Sequence, residues 1–221
     1  MEPAADCGRC PRLAAFRAEN RRRNPEFHNA PVPAFGSLAA ELLIVGLAPG
    51  RTGANATGRP FTGDWAGDLL YATLLSAGLA RGTYGERADD GLELVGCRIT
   101  NAVRCVPPAN RPTPAESAAC RAFLVAEMAA MPNLATILAL GGIAHDAVLA
   151  ARSLKKSHFA FAHGAQHILP GGITLIDSYH CSRLNTNTGR LTPAMFEAVV
   201  RQCRDHSPPD GGRRMGDAFP H

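Results

Sequence analysis

Two cysteines three positions apart, Cys7 and Cys10, stand near the start of the chain, and two more, Cys105 and Cys120, stand far downstream. Thiolates in sets of four ligate structural zinc or iron–sulfur clusters, and their spacing leaves both open. Cys7 and Cys10 lie in a polar stretch with nothing to bury them, whereas Cys97 and Cys203 sit on apolar faces and read as small core residues. Seven cysteines in all, an odd number, do not form a disulfide framework. A second concentration of chemistry is GLAPGRTGANATGRPFTGD, residues 46–64, with five glycines, one carboxylate and no lysine. The missing lysine excludes a phosphate-cradling P-loop, and no G-x-G-x-x-G occurs in the stretch. A loop this long is usually functional or disordered, and Phe61 with the adjoining Trp65 argues against disorder. The third stretch is SYHCSRLNTNTGR, in which His180 follows an apolar run and precedes a basic, polar loop. The other histidines, among them His145, His163 and His167, read as surface or local packing.

The elements that must position these residues are legible as apolar patterns. Residues 41–46, 97–103, 135–140 and 173–178 read as strands. Helical spacing covers 64–78, 114–130, 142–152 and 192–204, with a short basic helix after Cys10. Segments 25–37 and 81–96 read as loops. Strands alternating with helices argue an α/β fold with a largely parallel sheet, in which ligands sit beyond the C-terminal strand ends. The loop after Gly46, the segment Asn101–Arg111 and the loop after Ser178 fall near such ends. Residues 1–206 read as one domain and 207–221 as a disordered tail.

Composition narrows the classes further. Apolar residues make up 46% and charged residues 19%, as in ordinary globular proteins. A net charge of +4 permits an anionic partner without demanding one. There is no run of about 20 apolar residues to span a membrane and no apolar signal-peptide core near the start. The expectation is a cytoplasmic monomer.

Together, the glycine-rich stretch, the four cysteines and the SYHCSRLNTNTGRLT loop resemble the uracil-DNA glycosylase superfamily, with family 5 the nearer match and the family 4 iron–sulfur enzymes behind it. The resemblance implies a three-layer α/β/α sandwich around a central, mostly parallel sheet of about four strands. It implies a [4Fe-4S] cluster on Cys7, Cys10, Cys105 and Cys120. It also implies DNA containing uracil or other deaminated bases, such as hypoxanthine, as the substrate. GLAPG, with Gly46, Ala48 and Gly50, matches the family's water-activating motif, whose glycines also let backbone approach the base; Phe61 matches the aromatic that stacks on the base, and Asn101 the amide that reads its edge. His180 matches the catalytic histidine, here in HCS where the family writes HPS, and Leu184 matches the wedge into the duplex. Leu47 stands where family 4 carries an acidic residue. Family 5 shares that apolar change, which removes the usual base. Asp64, then the neutral Asn55, then Asp68 are left to orient water. Arg51, Arg59, Arg104, Arg111, Arg183, Asn185 and Arg190 are the candidates for DNA phosphates. The competing reading is a non-catalytic, metal-stapled nucleic-acid-binding module, which needs the cysteines and arginines but not Phe61, Asn101 or His180.

Overall fold

The computed structural model describes residues 2–206; the expected tail from 207 onward lies outside the described residues. Its elements run α1 (Pro11–Arg23), β1 (Phe35–Gly36), β2 (Leu42–Gly46), α2 (Ala54–Thr57), α3 (Trp65–Ser76), β3 (Ala80–Arg81), β4 (Glu93–Leu94), β5 (Cys97–Asn101), α4 (Pro114–Ala129), β6 (Thr136–Leu140), α5 (Gly142–Ala151), β7 (Gln166–Ile168), β8 (Thr174–Ser178), α6 (Arg183–Asn187) and α7 (Pro193–His206). Strand order in the main sheet is β1-β5-β2-β6-β8-β7. The inner four strands are parallel and are the four the apolar runs mark out. The two edge strands are antiparallel and lie in segments that carry no strand pattern. The sheet therefore has six strands, not four.

Alternation along each inner strand divides the core. Leu42, Ile44, Ile99, Leu138, Leu140 and Ile176 face Leu70, Leu74, Phe196 and Val200 of α3 and α7. Leu43, Val45, Ile137, Ala139 and Leu175 face Leu124, Met128, Val148 and Leu149 of α4 and α5. Every residue of β2, β6 and β8 is buried, which is why LLIVG and TILAL are uninterrupted apolar runs. Helix starts follow capping chemistry. Asp64 accepts from the Gly67 N–H ahead of α3, and Thr113 with Glu116 forms a capping box ahead of α4. Each such cap contributes about 1 kcal/mol.

Topology then fixes where a site can lie. The chain leaves β2 through α3 for β5 on one side, then crosses through α4 to β6 on the other. The reversal at β2 opens a crevice beyond its C-terminal end. Gly46 pairs with Asn101 there, and the ladder runs on as Ala102 and Val103 donate to the carbonyls of Gly46 and Leu47.

Candidate active site

The crevice holds a cleft of about 320 Å³ lined by residues 47–50, Ala54, Phe61, residues 64–66, Asn101, Asn110, His180, Ser182 and Arg183. Its floor depends on Gly46. A β-carbon placed there would stand 2.4 Å from Asn101 Oδ1 and 2.5 Å from Phe61 Cζ, so only glycine lets the amide and the ring meet over the strand end. Phe61 is buried at φ +53°, a left-handed conformation that costs a non-glycine residue about 1 kcal/mol or more. Its neighbours hold it there. A β-carbon on Gly67 would lie 1.7 Å from the Phe61 carbonyl oxygen, and Tyr71 donates to Pro60 O at 2.6 Å. Tyr84 donates to Phe61 O and accepts from Gly63 N–H.

His180 faces the Phe61 ring at 6.1 Å between centroids. Burial lowers its pKa below the ordinary 6.5, against the opposing pull of the Asp64 charge. The ring is therefore neutral at pH 7. The Asn185 amide donates to the His180 carbonyl at 2.8 Å and steadies the loop. Asn101 is 3% exposed and lines the cleft, yet its side-chain amide makes no hydrogen bond among the described residues. Asp64 caps α3 through Gly67 N–H at 3.1 Å, and its carboxylate also lines the cleft. Its Oδ2 packs where β-carbons on Gly50 or Gly53 would stand 3.0 or 2.5 Å away. The glycine-rich loop thus makes room for Phe61, Asn101 and Asp64 together.

Several expected residues lie elsewhere. Asn55 is fully buried in α2 off the cleft wall, and its amide donates to Asn29 Oδ1 at 3.0 Å, so it is a strut between two loops rather than a water ligand. Arg59 is no phosphate donor. It is 3% exposed, forms a two-pronged pair with Asp90 at 2.8 and 2.7 Å, and lies over the rings of Phe35, Tyr71 and Tyr84. Arg104 is 1% exposed and paired with Glu2 and Glu127. Asp68 is exposed on α3 away from the cleft. By contrast Arg51, Arg111, Arg183 and Arg190 are exposed, as is Leu184. Arg190 and the half-buried Asn185 share with His180 a second recess of about 250 Å³. Two residues in the cleft wall carried no sequence signal of a role. Asn110 arrives through two successive left-handed residues, Ala109 at φ +53° and Asn110 at φ +55°, inside a proline-rich loop. Trp65 reads from sequence only as a helix residue.

Cys7, Cys10, Cys105 and Cys120 converge on one small cavity with Leu13, Val103 and Phe123. Arg17 donates to Cys105 Sγ at 3.5 Å and the Arg104 backbone N–H to Cys120 Sγ at 3.4 Å. Burial pushes the Cys105 thiol up to about 11 and raises Cys10 and Cys120 as well. A bound cation would reverse that by taking the thiolates. Among the described residues no three of these sulfurs lie within 4.8 Å of one another. His145, His167 and Asp177 do form a group that tight. However, His145 Nδ1 is 2.7 Å from Asp177 Oδ1, a hydrogen bond, and shorter than the ~3.3 Å between two ligands of one tetrahedral zinc. His145 Nε2 donates to Phe159 O at 2.9 Å. Burial alone would lower the pKa of His145; the bond to Asp177 and its charge outweigh burial and raise it. This is a buried ion pair joining α5 to β8.

Comparison with known proteins gives a consistent set of relatives. Residues 33–204 match the family model of the uracil DNA glycosylase superfamily. The chain is 47% identical to the type-5 uracil-DNA glycosylase of Thermus thermophilus, over 90% of this chain and 92% of that one. It is 40% identical to the type-5 uracil-DNA glycosylase of Pyrobaculum aerophilum, over 90% and 88%. It is 35% identical to the type-4 uracil-DNA glycosylase of Thermotoga maritima, over 69% and 70%.

Proposed function

The chain belongs to the uracil-DNA glycosylase superfamily, and from that premise we infer that it hydrolyses the N-glycosidic bond of deoxyuridine in DNA and leaves an abasic site. It is a monofunctional glycosylase of the type-5 kind, related to type 4. Water is the acceptor, and no lysine lines the cleft to take its place. The observation that carries the reading is the Asn101 amide, free of protein partners at the cleft, beside Phe61 and His180, three groups whose chemistry suits a flipped pyrimidine. A base inside the stack is out of reach and has to be extruded into such a pocket.

In the proposed mechanism Phe61 offers its ring face to the base, and Asn101 donates and accepts at the Watson–Crick edge. The same amide suits hypoxanthine, so the proposal extends to that deaminated base. As the bond to C1′ lengthens, negative charge gathers on uracil O2 and positive charge on the sugar. The neutral His180 ring donates to O2; one such preorganised donor is worth about 3–4 kcal/mol. Leu47 cannot orient the water, and Asn55 is out of reach. Asp64 takes that role, with Asn110, which also lines the cleft, as a neutral second.

The four cysteines fit a [4Fe-4S] cluster. The convergence of the four sulfurs on one cavity and the N–H donors on two of them support the cluster. It would staple residues 7–10 to the loop after β5 and to α4, leaving hydrolysis to the cleft. No helix among the described residues is long and apolar enough to cross a membrane. We place the enzyme in the cytoplasm, acting as a monomer on residues 1–206 as one domain.

Incubation with a uracil-containing oligonucleotide, followed by alkali, tests the activity: strand cleavage at the uracil is expected, and an intact strand would overturn it. His180→Ala should slow single-turnover excision about 100- to 1000-fold with binding retained. Protein purified in air should carry iron; one zinc and no iron would overturn the cluster.

A further inference from the structure

Trp65, the one tryptophan of the chain, is the first residue of α3 and is 49% exposed. It lies at the rim of the base cleft between Asp64 and Arg183. Its indole N–H is already committed, donating to Thr186 Oγ1 on α6 at 2.9 Å, so the ring is held from behind while half of it faces solvent. The Arg183 guanidinium stands 5.6 Å from the ring centroid, and the next residue, Leu184, is 72% exposed. An aromatic face, a cation and an apolar tip thus sit side by side at the mouth through which the flipped base must enter. That combination suits an unpaired base and its phosphate.

We propose that Trp65 is a DNA-stacking residue that takes the base next to the flipped nucleotide and strengthens binding of single-stranded uracil DNA in particular. The proposal rests on the cleft being the base pocket. In a duplex the neighbouring bases already stack on their own strand, so an added ring gains little. In a single strand they are free, and an aromatic platform captures them.

The competing role is a clamp, with Trp65 serving only to hold α6 through Thr186. Two variants separate the roles, because Thr186→Val removes the clamp and keeps the ring, while Trp65→Phe keeps a ring and loses the N–H. Affinity is measured by anisotropy of labelled uracil oligonucleotides, single-stranded and duplex, so it is read whether or not excision follows. Trp65→Ala should weaken single-strand binding about 10-fold or more and duplex binding less than 3-fold. Trp65→Phe should recover most of the loss, and Thr186→Val should keep wild-type affinity. Because no other tryptophan is present, quenching of wild-type fluorescence by the single-stranded oligonucleotide reports this residue directly. Equal losses on both substrates, a Thr186→Val protein as weak as Trp65→Ala, or unquenched fluorescence at saturation would each overturn the proposal. A protein that binds as expected but leaves uracil in place would instead refute the glycosylase reading.

Discussion

At the scale of single residues, the proposed site rests on side chains that the fold positions at the cleft without tying them up. Asn101 is 3% exposed and faces the cleft with its amide free, whereas the equally buried Asn55 and Asn29 bond to each other. An asparagine in sequence does not announce which of these it will be, because the partner lies 26 residues away. The same blindness affected Arg59. Between a glycine and a proline in a glycine-rich loop it looks like a phosphate donor, and only the fold reveals Asp90 across from it. His180 was legible because it directly follows a buried strand. Its environment makes a sharp prediction. Burial depresses its pKa, and the Asp64 carboxylate is the influence that opposes the depression. An NMR titration of the imidazole should therefore place His180 below 6.5. Asp64→Asn should move it lower still, since it removes the charge that favours the protonated ring. A His180 pKa that rises or stays put in Asp64→Asn would show that the two groups do not share a field. The carboxylate would then be too remote to act on the same sugar.

At the scale of elements, four inner strands were readable: β2 and β6 as nearly unbroken apolar runs forced by burial on both faces, β5 by its alternation and β8 by the apolar start of ITLIDS. The edges were not. β1 and β7 have two and three residues, too short for any period, and α2 with four residues and α6 with five are hidden in loop composition. Those short pieces nonetheless shape the site. Gly46 sits where β2 ends, and Gly46→Ala should collide with both Phe61 and Asn101. We expect a fall in excision of at least 100-fold with a stability cost of about 1–3 kcal/mol, the range for overpacking. Thermal melts and single-turnover rates check it, and near-normal excision would show that the Phe61–Asn101 arrangement does not hold the base. Farther along, the His145–Asp177 pair joins α5 to β8, the strand that delivers His180. A raised folded-state pKa for His145 adds stability that is fully present below its unfolded value of about 6.5 and is lost as pH rises through the folded value. Asp177→Asn should thus cost about 3–5 kcal/mol in denaturant unfolding near pH 6, as for a broken buried pair. The difference from wild type should shrink on the alkaline side. A cost independent of pH would show that the ring is not charged in the native state.

At the scale of the whole molecule, the net charge of +4 is less informative than where the free cations end up. Buried Arg59 and Arg104 are consumed by internal carboxylates, while Arg51, Arg183 and Arg190 remain exposed around one end of the parallel strands. The cleft, the Leu184 tip and these arginines occupy that same end, so the topology that gathers strand termini also gathers the surface proposed to meet DNA. Composition could count the arginines, but only packing sorts them into buried struts and exposed candidates for phosphate contacts. The sorting has a measurable signature. Each phosphate neutralised on duplex DNA releases condensed counterions and contributes about 0.9 to the slope of log affinity against log salt. Replacing Arg51, Arg183 or Arg190 singly by Gln should lower that slope by about 1 and weaken binding to all sequences alike. Arg59→Gln should leave the slope unchanged and act on folding instead, at a cost of about 3–5 kcal/mol for the uncompensated Asp90. Binding titrations from low to moderate salt, run beside unfolding curves for each variant, distinguish the two classes. If Arg59→Gln flattened the salt dependence as much as Arg183→Gln while leaving stability intact, the buried pair with Asp90 would have to open on DNA. The loop that carries Phe61 would then be a moving part of the enzyme rather than a preformed one.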